Sequence, residues 1–342
     1  MLKNWKFWLG VFISVIFMWW ALNGLDLAEV GHFIQSANYW WLIPSVVVYF
    51  IAVWVRTWRW KYMLQPLKQI STRDLFPVVV IGYMGNNIYP LRAGEVLRSY
   101  VLWRREEVPI GASLATVIVE RVFDGLVMLV FVFAALPFFP LPPRYQSLVV
   151  FASVGFLGAL IVFFILAAIP QTTLRIAAWF TQFLPESIRQ PTMEITGRVL
   201  DGLVSLRSFR NVIMIFFTSL IIWLLETVKY WFVMNAFDFG TAEVTFFALM
   251  LMNGVVNLAT TIPSAPGYVG TFDVPGIEVL VLYGVAEEVA TAYTLILHVA
   301  LWLPITLLGA YYMFREGLRW GDIQEAAAID KTTAEEQATT NN

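Results

Sequence analysis

Two short runs of this chain place charged residues at spacings that bring them onto common helix faces. In Glu120-Arg121-Val-Phe-Asp124, the two carboxylates are four residues apart and Arg121 is three before Asp124. Upstream, Arg92, Glu95 and Arg98 fall in Pro90-Leu-Arg-Ala-Gly-Glu-Val-Leu-Arg98, just after Asn86 and Asn87. Guanidinium groups recognise phosphate and carboxylate through paired hydrogen bonds. Carboxylates hold a cationic group or carry a proton. Arg92 and Arg98 therefore suit the phosphate of an anionic guest. Glu95, Glu120 and Asp124 suit its cationic part, or coupling protons, with Arg121 beside them. Further ionisable residues recur downstream and upstream: Arg56 and Arg59, then Glu226 and Lys229 three apart, then His298.

The surroundings of these charges are apolar. The 342 residues are 59% hydrophobic and only 13% charged, where a soluble domain carries about 25%. Mean hydropathy is +0.70. Apolar runs of about 20 residues recur, the length that crosses a hydrocarbon core of about 30 Å. The class is an all-α polytopic integral membrane protein. Each charge at a span centre then costs about 2.5–3.5 kcal/mol on insertion scales, so such residues face a polar interior rather than lipid. There is no cysteine, which excludes disulfides, thiolate metal sites and thiol catalysis.

Six full spans are expected, at about 5–24, 39–61, 112–136, 147–169, 211–236 and 289–314. The first reads as a retained anchor rather than a signal peptide, because Trp19-Trp20-Ala-Leu-Asn23 offers no small-x-small cleavage site. Segment 171–210 is basic and amphipathic and reads as helices on the membrane surface. Residues 323–342 read as a disordered tail. With both termini in the cytoplasm, all of the 22 Lys and Arg except Arg121, Arg144 and Lys229 fall in inner segments, as the positive-inside rule requires. On that count, 74–105 begins and ends inside and 244–284 begins and ends outside. Each is a re-entrant helical hairpin or a pair of short tilted spans. The hairpin is favoured because its arms are too short to cross fully. Arg104 and Arg105 serve mainly as topological signals, with lipid phosphates also in reach.

The two broken stretches share the pattern P-x-x-x-G-x-V: Pro90 to Val96 and Pro263 to Val269, with Gly94 and Gly267 at the matching position. Asn86 and Asn87 precede the first, Asn253 and Asn257 the second. Repeat one, about 39–137, and repeat two, about 211–314, then form an inverted pair, the architecture of many secondary transporters. Helix-breaking tips free backbone groups that are tolerated only inside protein or beside a wet cavity. The tips, with Asn86, Asn87, Asn257, Gly267 and Tyr268, are expected to wall a midplane cavity. The helix amino end near Gly94 favours an anion there. Alternatives stay open elsewhere. Arg59 and Lys61 read most simply as interfacial anchors. Arg56, Arg59, Glu226, Lys229 and His298 form a second group, either coupling or structural: Glu226–Lys229 as a structural ion pair, His298 as a packing hydrogen-bonder or a proton relay.

At these residues the chain resembles the lysylphosphatidylglycerol synthase transmembrane region, a flippase-like domain family. The resemblance rests on Arg56-Thr-Trp-Arg59-Trp60, the Gly82–Arg98 stretch, Glu120-Arg121-Val-Phe-Asp124 and Pro263-Ser-Ala-Pro-Gly267-Tyr-Val-Gly-Thr-Phe-Asp273. It covers about 5–315, so that 1–322 forms one flippase-like transmembrane domain. It brings Asp273 into the expected site. In bifunctional members the family implies translocation of an aminoacylated phospholipid, with lysyl transfer in a separate soluble domain. Only 27 residues follow Arg315 here, so the flippase part is implied and the synthase part is not.

The leading expectation is thus a lipid flippase or transporter, not an enzyme, in the cytoplasmic membrane of a prokaryote. Its partner is an anionic or aminoacylated phospholipid or a lipid-linked headgroup; nucleic acid is not expected. No cofactor, metal or catalytic residue is assigned, and no G-x-x-x-x-G-K-[ST] run is present. A membrane-embedded transferase on lipid phosphates is the first alternative, with Glu120 and Asp124 as acid and base or as Mg²⁺ ligands. A non-catalytic partner of envelope-biosynthesis enzymes is the second. Self-association into a homo-oligomer is left open.

Overall fold

A computed structural model describes residues 25–89, 93–138, 143–261 and 266–317. The expected first span, the tail, Arg92 and Pro263 lie outside the described residues. Every regular element described is helical: α1 Leu27–Ser36, α2 Leu42–Leu64, α3 Thr72–Ile88, α4 Gly94–Glu106, α5 Ile110–Ala135, α6 Pro143–Ala168, α7 Pro170–Thr181, α8 Glu186–Gly202, α9 Phe209–Met234, α10 Phe246–Ala259, α11 Asp273–Leu282 and α12 Glu287–Arg315, with short 3-10 turns at Tyr39–Trp41, Val204–Arg207 and Pro266–Tyr268. Local sequence sets several starts. Asp26 caps α1 through Ala28 and Glu29 amides, Ser71 caps α3 and Thr245 caps α10. Pro170 stops α6 and occupies the first turn of α7, where its missing N–H costs nothing.

Among the described residues, four stretches are long and apolar enough to cross a membrane: Tyr39–Leu64, Tyr145–Ala168, Phe209–Met234 and Glu287–Arg315. They coincide with four of the expected spans. Helix α5 is as long as α9, 26 residues, and differs from it in carrying Glu120, Arg121 and Asp124 at its middle. The arms of the two broken stretches are shorter, at 17, 13, 14 and 10 residues for α3, α4, α10 and α11. A span needs about 20.

Packing pairs repeat between the two halves. Helix α3 packs on α4 and on α12, as α10 packs on α11 and on α5; α4 meets α5 as α11 meets α12, and α2 meets α3 as α9 meets α10. The flanking helices obey the same rule, since α1 lies on α12 and α8 on α5. Helices α2 and α9 pack on each other at the centre. There Arg56 bonds Glu226, 170 residues away. Arg59 and Lys229, and Tyr49 and Ser219, are separated by the same interval. Arg59 bonds Ser219, and Lys229 lies over the Tyr49 ring. A residue meeting its own counterpart, flanked by two reciprocal contacts, is what a two-fold axis between α2 and α9 produces.

The arms of the first hairpin touch backbone to backbone. A Cβ on Gly94 would stand 2.0 Å from the Gly82 carbonyl oxygen and 2.3 Å from the Asn86 nitrogen, so only glycine allows this approach. The expected surface segment is more firmly held than a helix lying on lipid. Gly202 of α8 comes close to the Ala112 carbonyl of α5, while Trp179, Phe180 and Phe183 remain exposed.

Candidate functional site

The charges of the first half form one buried network where α2, α4 and α5 meet. Arg59 reaches Glu120 at 2.8 Å and Asp124 at 2.6 Å, and Arg98 reaches Glu120 at 3.1 Å. Arg121 lies 3.3 Å from Glu95, 3.4 Å from Glu120 and 3.7 Å from Asp124. The Arg98 guanidinium stacks 3.6 Å from the centre of the Trp60 ring, a cation–π contact that offsets part of its desolvation. Arg59 is fully buried, which corrects its reading as an interfacial anchor. A guanidinium with two carboxylate partners is stable inside protein, where a lone one is not. Lys61, on the far turn of α2, is only partly buried.

A second group sits on the central axis. Glu226 accepts from Arg56 at 2.5 Å and is also paired with Lys229. Arg56 lies 5.0 Å from the Trp223 ring and 5.6 Å from the Tyr83 ring.

Beside this group is a cavity of about 140 Å³. The first hairpin supplies Tyr83, Asn86 and Asn87. The second supplies Asn257, Thr260, Gly267, Tyr268 and Phe272. Arg56, Arg121, Glu226, Lys229 and His298 bring the charged and titratable groups. Three fixed cations thus face one carboxylate on the wall. Apart from Arg121 Nε, which is ion-paired to Glu95, four buried polar atoms of this wall have no hydrogen-bond partner within the protein: Arg56 Nε, Tyr83 Oη, Asn86 Oδ1 and Trp223 Nε1. The first hairpin is tied to α12 across the cavity floor. Asn87 donates to the Trp302 carbonyl at 3.2 Å and to Thr306 at 2.8 Å, and the Trp302 indole donates back to the Asn87 carbonyl at 3.3 Å.

The tip of the second hairpin is held by a histidine. Gly267 and Tyr268 both have positive φ, 70° and 61°. His298 Nε2 lies 2.7 Å from the Gly267 carbonyl oxygen, and Nδ1 lies 2.7 Å from Asp273 Oδ1. The other Asp273 oxygen accepts from the Gly270 amide at 2.8 Å.

Of the residues expected from sequence, Asn86, Asn87, Arg121, Asn257, Gly267, Tyr268, Arg56, Glu226, Lys229 and His298 line the cavity. Glu95, Arg98, Glu120, Asp124, Arg59 and Asp273 do not; they stand behind the wall and bond to residues in or near it. The aromatic part of the wall was missed: Tyr49, Tyr83, Trp223, Tyr230, Phe272 and Trp302. Trp223 and Tyr230 fall within one turn of Glu226 on α9, so their spacing from that charge was a usable signal. Among the described residues no group of His, Asp or Glu is arranged to hold a metal ion.

Comparison with known proteins points to one family. A family model described as the lysylphosphatidylglycerol synthase TM region matches residues 7–309. A UPF0104 membrane protein of Methanocaldococcus jannaschii is 22% identical over 313 residues, covering 87% of this chain and 91% of the relative. One from Methanothermobacter thermautotrophicus is 25% identical, covering 82% and 87%. Glycosyltransferase AglD of Haloferax volcanii is 28% identical over 118 residues, 34% of this chain and 19% of that protein. No solved structure matches.

Proposed function

The chain belongs to the lysylphosphatidylglycerol synthase TM region family of membrane proteins, and from that premise we propose that it moves lipids with anionic headgroups across the membrane. The headgroup passes through the cavity between the two hairpins while the tails stay in lipid. The observation that carries this reading is the set of unpartnered polar atoms on a wall with three cations and one carboxylate. Buried polar atoms in folded proteins nearly always have partners, so four orphans around one cavity indicate a polar guest. Its volume resembles that of an engineered cavity of about 150 Å³ that admits one benzene. It suits a headgroup and excludes an acyl chain.

In this reading Arg56, Arg121 and Lys229 hold the phosphate, and Asn86, Asn87, Asn257 and the aromatic faces orient the rest of the headgroup. The network around Arg59 and Glu120 is the scaffold that keeps Arg121 at the wall. The halves form an inverted repeat, the hairpins are re-entrant, and both termini lie in the cytoplasm. The repeated packing pairs and the reciprocal α2–α9 contacts support the repeat. The short arms support re-entry, and the segregation of Lys and Arg supports the orientation.

The test is headgroup translocation by purified protein in sealed liposomes. The panel holds phosphatidylglycerol, its lysyl ester, an isoprenyl phosphate and, because a glycosyltransferase is among the relatives, an isoprenyl phosphate carrying one sugar. At least one is moved faster than in protein-free liposomes. Lys229→Gln slows it by tenfold or more, the loss expected when a charge-assisted hydrogen bond of about 1.5–3 kcal/mol is removed. Equal rates with and without protein for every lipid would contradict the proposal.

A further inference from the structure

The bonds around His298 fix where protons must be. The Gly267 oxygen is a carbonyl and only accepts, so His298 Nε2 carries a hydrogen and donates to it across 2.7 Å. That leaves Nδ1 facing Asp273 Oδ1 at 2.7 Å. Two lone pairs do not approach so closely. A proton lies between them, either on Nδ1, giving imidazolium and carboxylate, or on Oδ1, giving a neutral acid and a neutral ring. Either way the pair holds one proton more than the separate groups hold when Asp is ionised and His neutral. Asp273 Oδ2 is already engaged by the Gly270 amide, so the carboxyl cannot turn away without losing that bond.

The same histidine pins the hairpin tip. Tyr268 is a non-glycine residue at φ 61°, a conformation that costs about 1–2 kcal/mol and persists only where surroundings impose it. His298 supplies part of that constraint through Gly267, and the Phe272 ring packs against it with centroids 4.7 Å apart. Its side chain is 13% exposed and reaches the cavity wall, so the proton has a route to the guest's chamber.

We infer that the Asp273–His298 pair is a proton-binding site that couples proton movement to opening of the second hairpin tip, an inference that rests on the lipid-translocation reading for its cargo. With the proton bound, the pair closes and the tip over Gly267–Phe272 is held against α12. When the proton leaves for water, Nδ1 and Oδ1 repel, the pair parts, and the tip swings free of the cavity. The fixed charges facing this site enforce a coupling between proton and cargo. Arg56 on α2, Glu226 and Lys229 on α9 and Arg121 on α5 share the cavity with His298. The uncharged titratable neighbours are Tyr49 on α2, Tyr83 on α3, Tyr230 on α9 and Tyr268 in the tip. Helix α1, which also packs on α12, brings only the exposed Glu29 and His32. An arriving lipid phosphate favours the protonated pair, and its departure favours release.

The absence of cysteine makes the tip directly testable. Thr271→Cys places one thiol in the tip, and its maleimide labelling is followed from about pH 5 to about pH 9, the range around ordinary histidine titration. Asp273→Asn is the loaded-state mimic: its amide donates to Nδ1 and its oxygen still accepts from Gly270. His298→Gln keeps a donor for Gly267 but cannot carry the extra proton. Relative to Thr271→Cys with Asp273→Asn, which corrects for thiolate formation, labelling of Thr271→Cys alone rises about tenfold as pH increases. With His298→Gln added, the excess no longer varies with pH. Identical pH profiles with and without Asp273→Asn would overturn the inference. In sealed liposomes a pH gradient drives the transported lipid uphill with the wild type and not with either variant. Transport that ignores the gradient would sink the coupling and leave the translocation reading intact. If no lipid moves, translocation fails, and the labelling experiment still decides whether the pair gates the tip.

Discussion

The two hairpins occupy equivalent places in a repeated packing scheme but do opposite chemistry. The first hairpin is locked by backbone contact at Gly94 and backed by fixed charges, with Glu95 and Arg98 tied to α5 through Arg121 and Glu120. The second is held by a left-handed turn and a histidine–aspartate pair. Asp124 and His298 stand at nearly the same distance after Gly94 and Gly267. One is ion-paired to a guanidinium and the other shares a proton. A duplicated frame with one rigid wall and one titratable wall is what a gated site needs, because the moving half must have a low-energy alternative and the other must not.

Exchanging the chemistry of the two halves should give unequal damage. Glu120→Gln leaves Arg98 without its carboxylate and weakens the hold on Arg59, and is expected to destabilise by about 3–5 kcal/mol. Asp273→Asn retains both hydrogen bonds and costs less than about 1 kcal/mol near neutral pH. Thermal unfolding of the purified variants in one detergent reads both; equal losses would break the distinction between the walls.

The glycines sharpen it next. Gly94→Ala must push two backbones apart and is expected to cost about 1–3 kcal/mol. Gly267→Ala meets the Trp302 side chain at 3.0 Å, with the Asn87 carbonyl oxygen at an ordinary 3.4 Å, and the left-handed penalty of about 1–2 kcal/mol, so it should loosen the tip and speed labelling at Thr271→Cys. Slower labelling would contradict a mobile second tip.

Smaller effects test the axis and the floor. A double-mutant cycle of Arg56→Gln and Glu226→Gln is expected to show coupling of up to about 3 kcal/mol, whereas Arg56→Gln and Asp273→Asn should add independently. Trp302→Phe removes one 3.3 Å bond between the halves and should lower stability by about 0.5–1.5 kcal/mol.

Much of this arrangement was legible in the sequence, and the reason differs by feature. Spans and hairpin arms show because apolar runs and Gly–Pro breaks are local. The second motif at Gly267 is visible because it repeats the first. The partners of Arg59, Arg56 and His298 were not legible, because each lies on another helix and only docking of α2 on α5 and α9, or α12 on α11, selects it. Arg59 illustrates the cost: in the basic last turns of its helix, it reads as an anchor, yet its partners Glu120 and Asp124 draw it fully inside. The aromatic wall was hidden for a related reason, since Tyr and Trp in a membrane protein most often mark an interface.

The central claim is that the cavity between the hairpins receives an anionic headgroup. A structure of the protein in nanodiscs containing the lipid it moves tests this most directly. The predicted result is a phosphate within hydrogen-bond distance of Arg56, Arg121 and Lys229, with tails outside the helix bundle. A cavity filled by the protein's own side chains, with every headgroup at the bilayer surface, would contradict it.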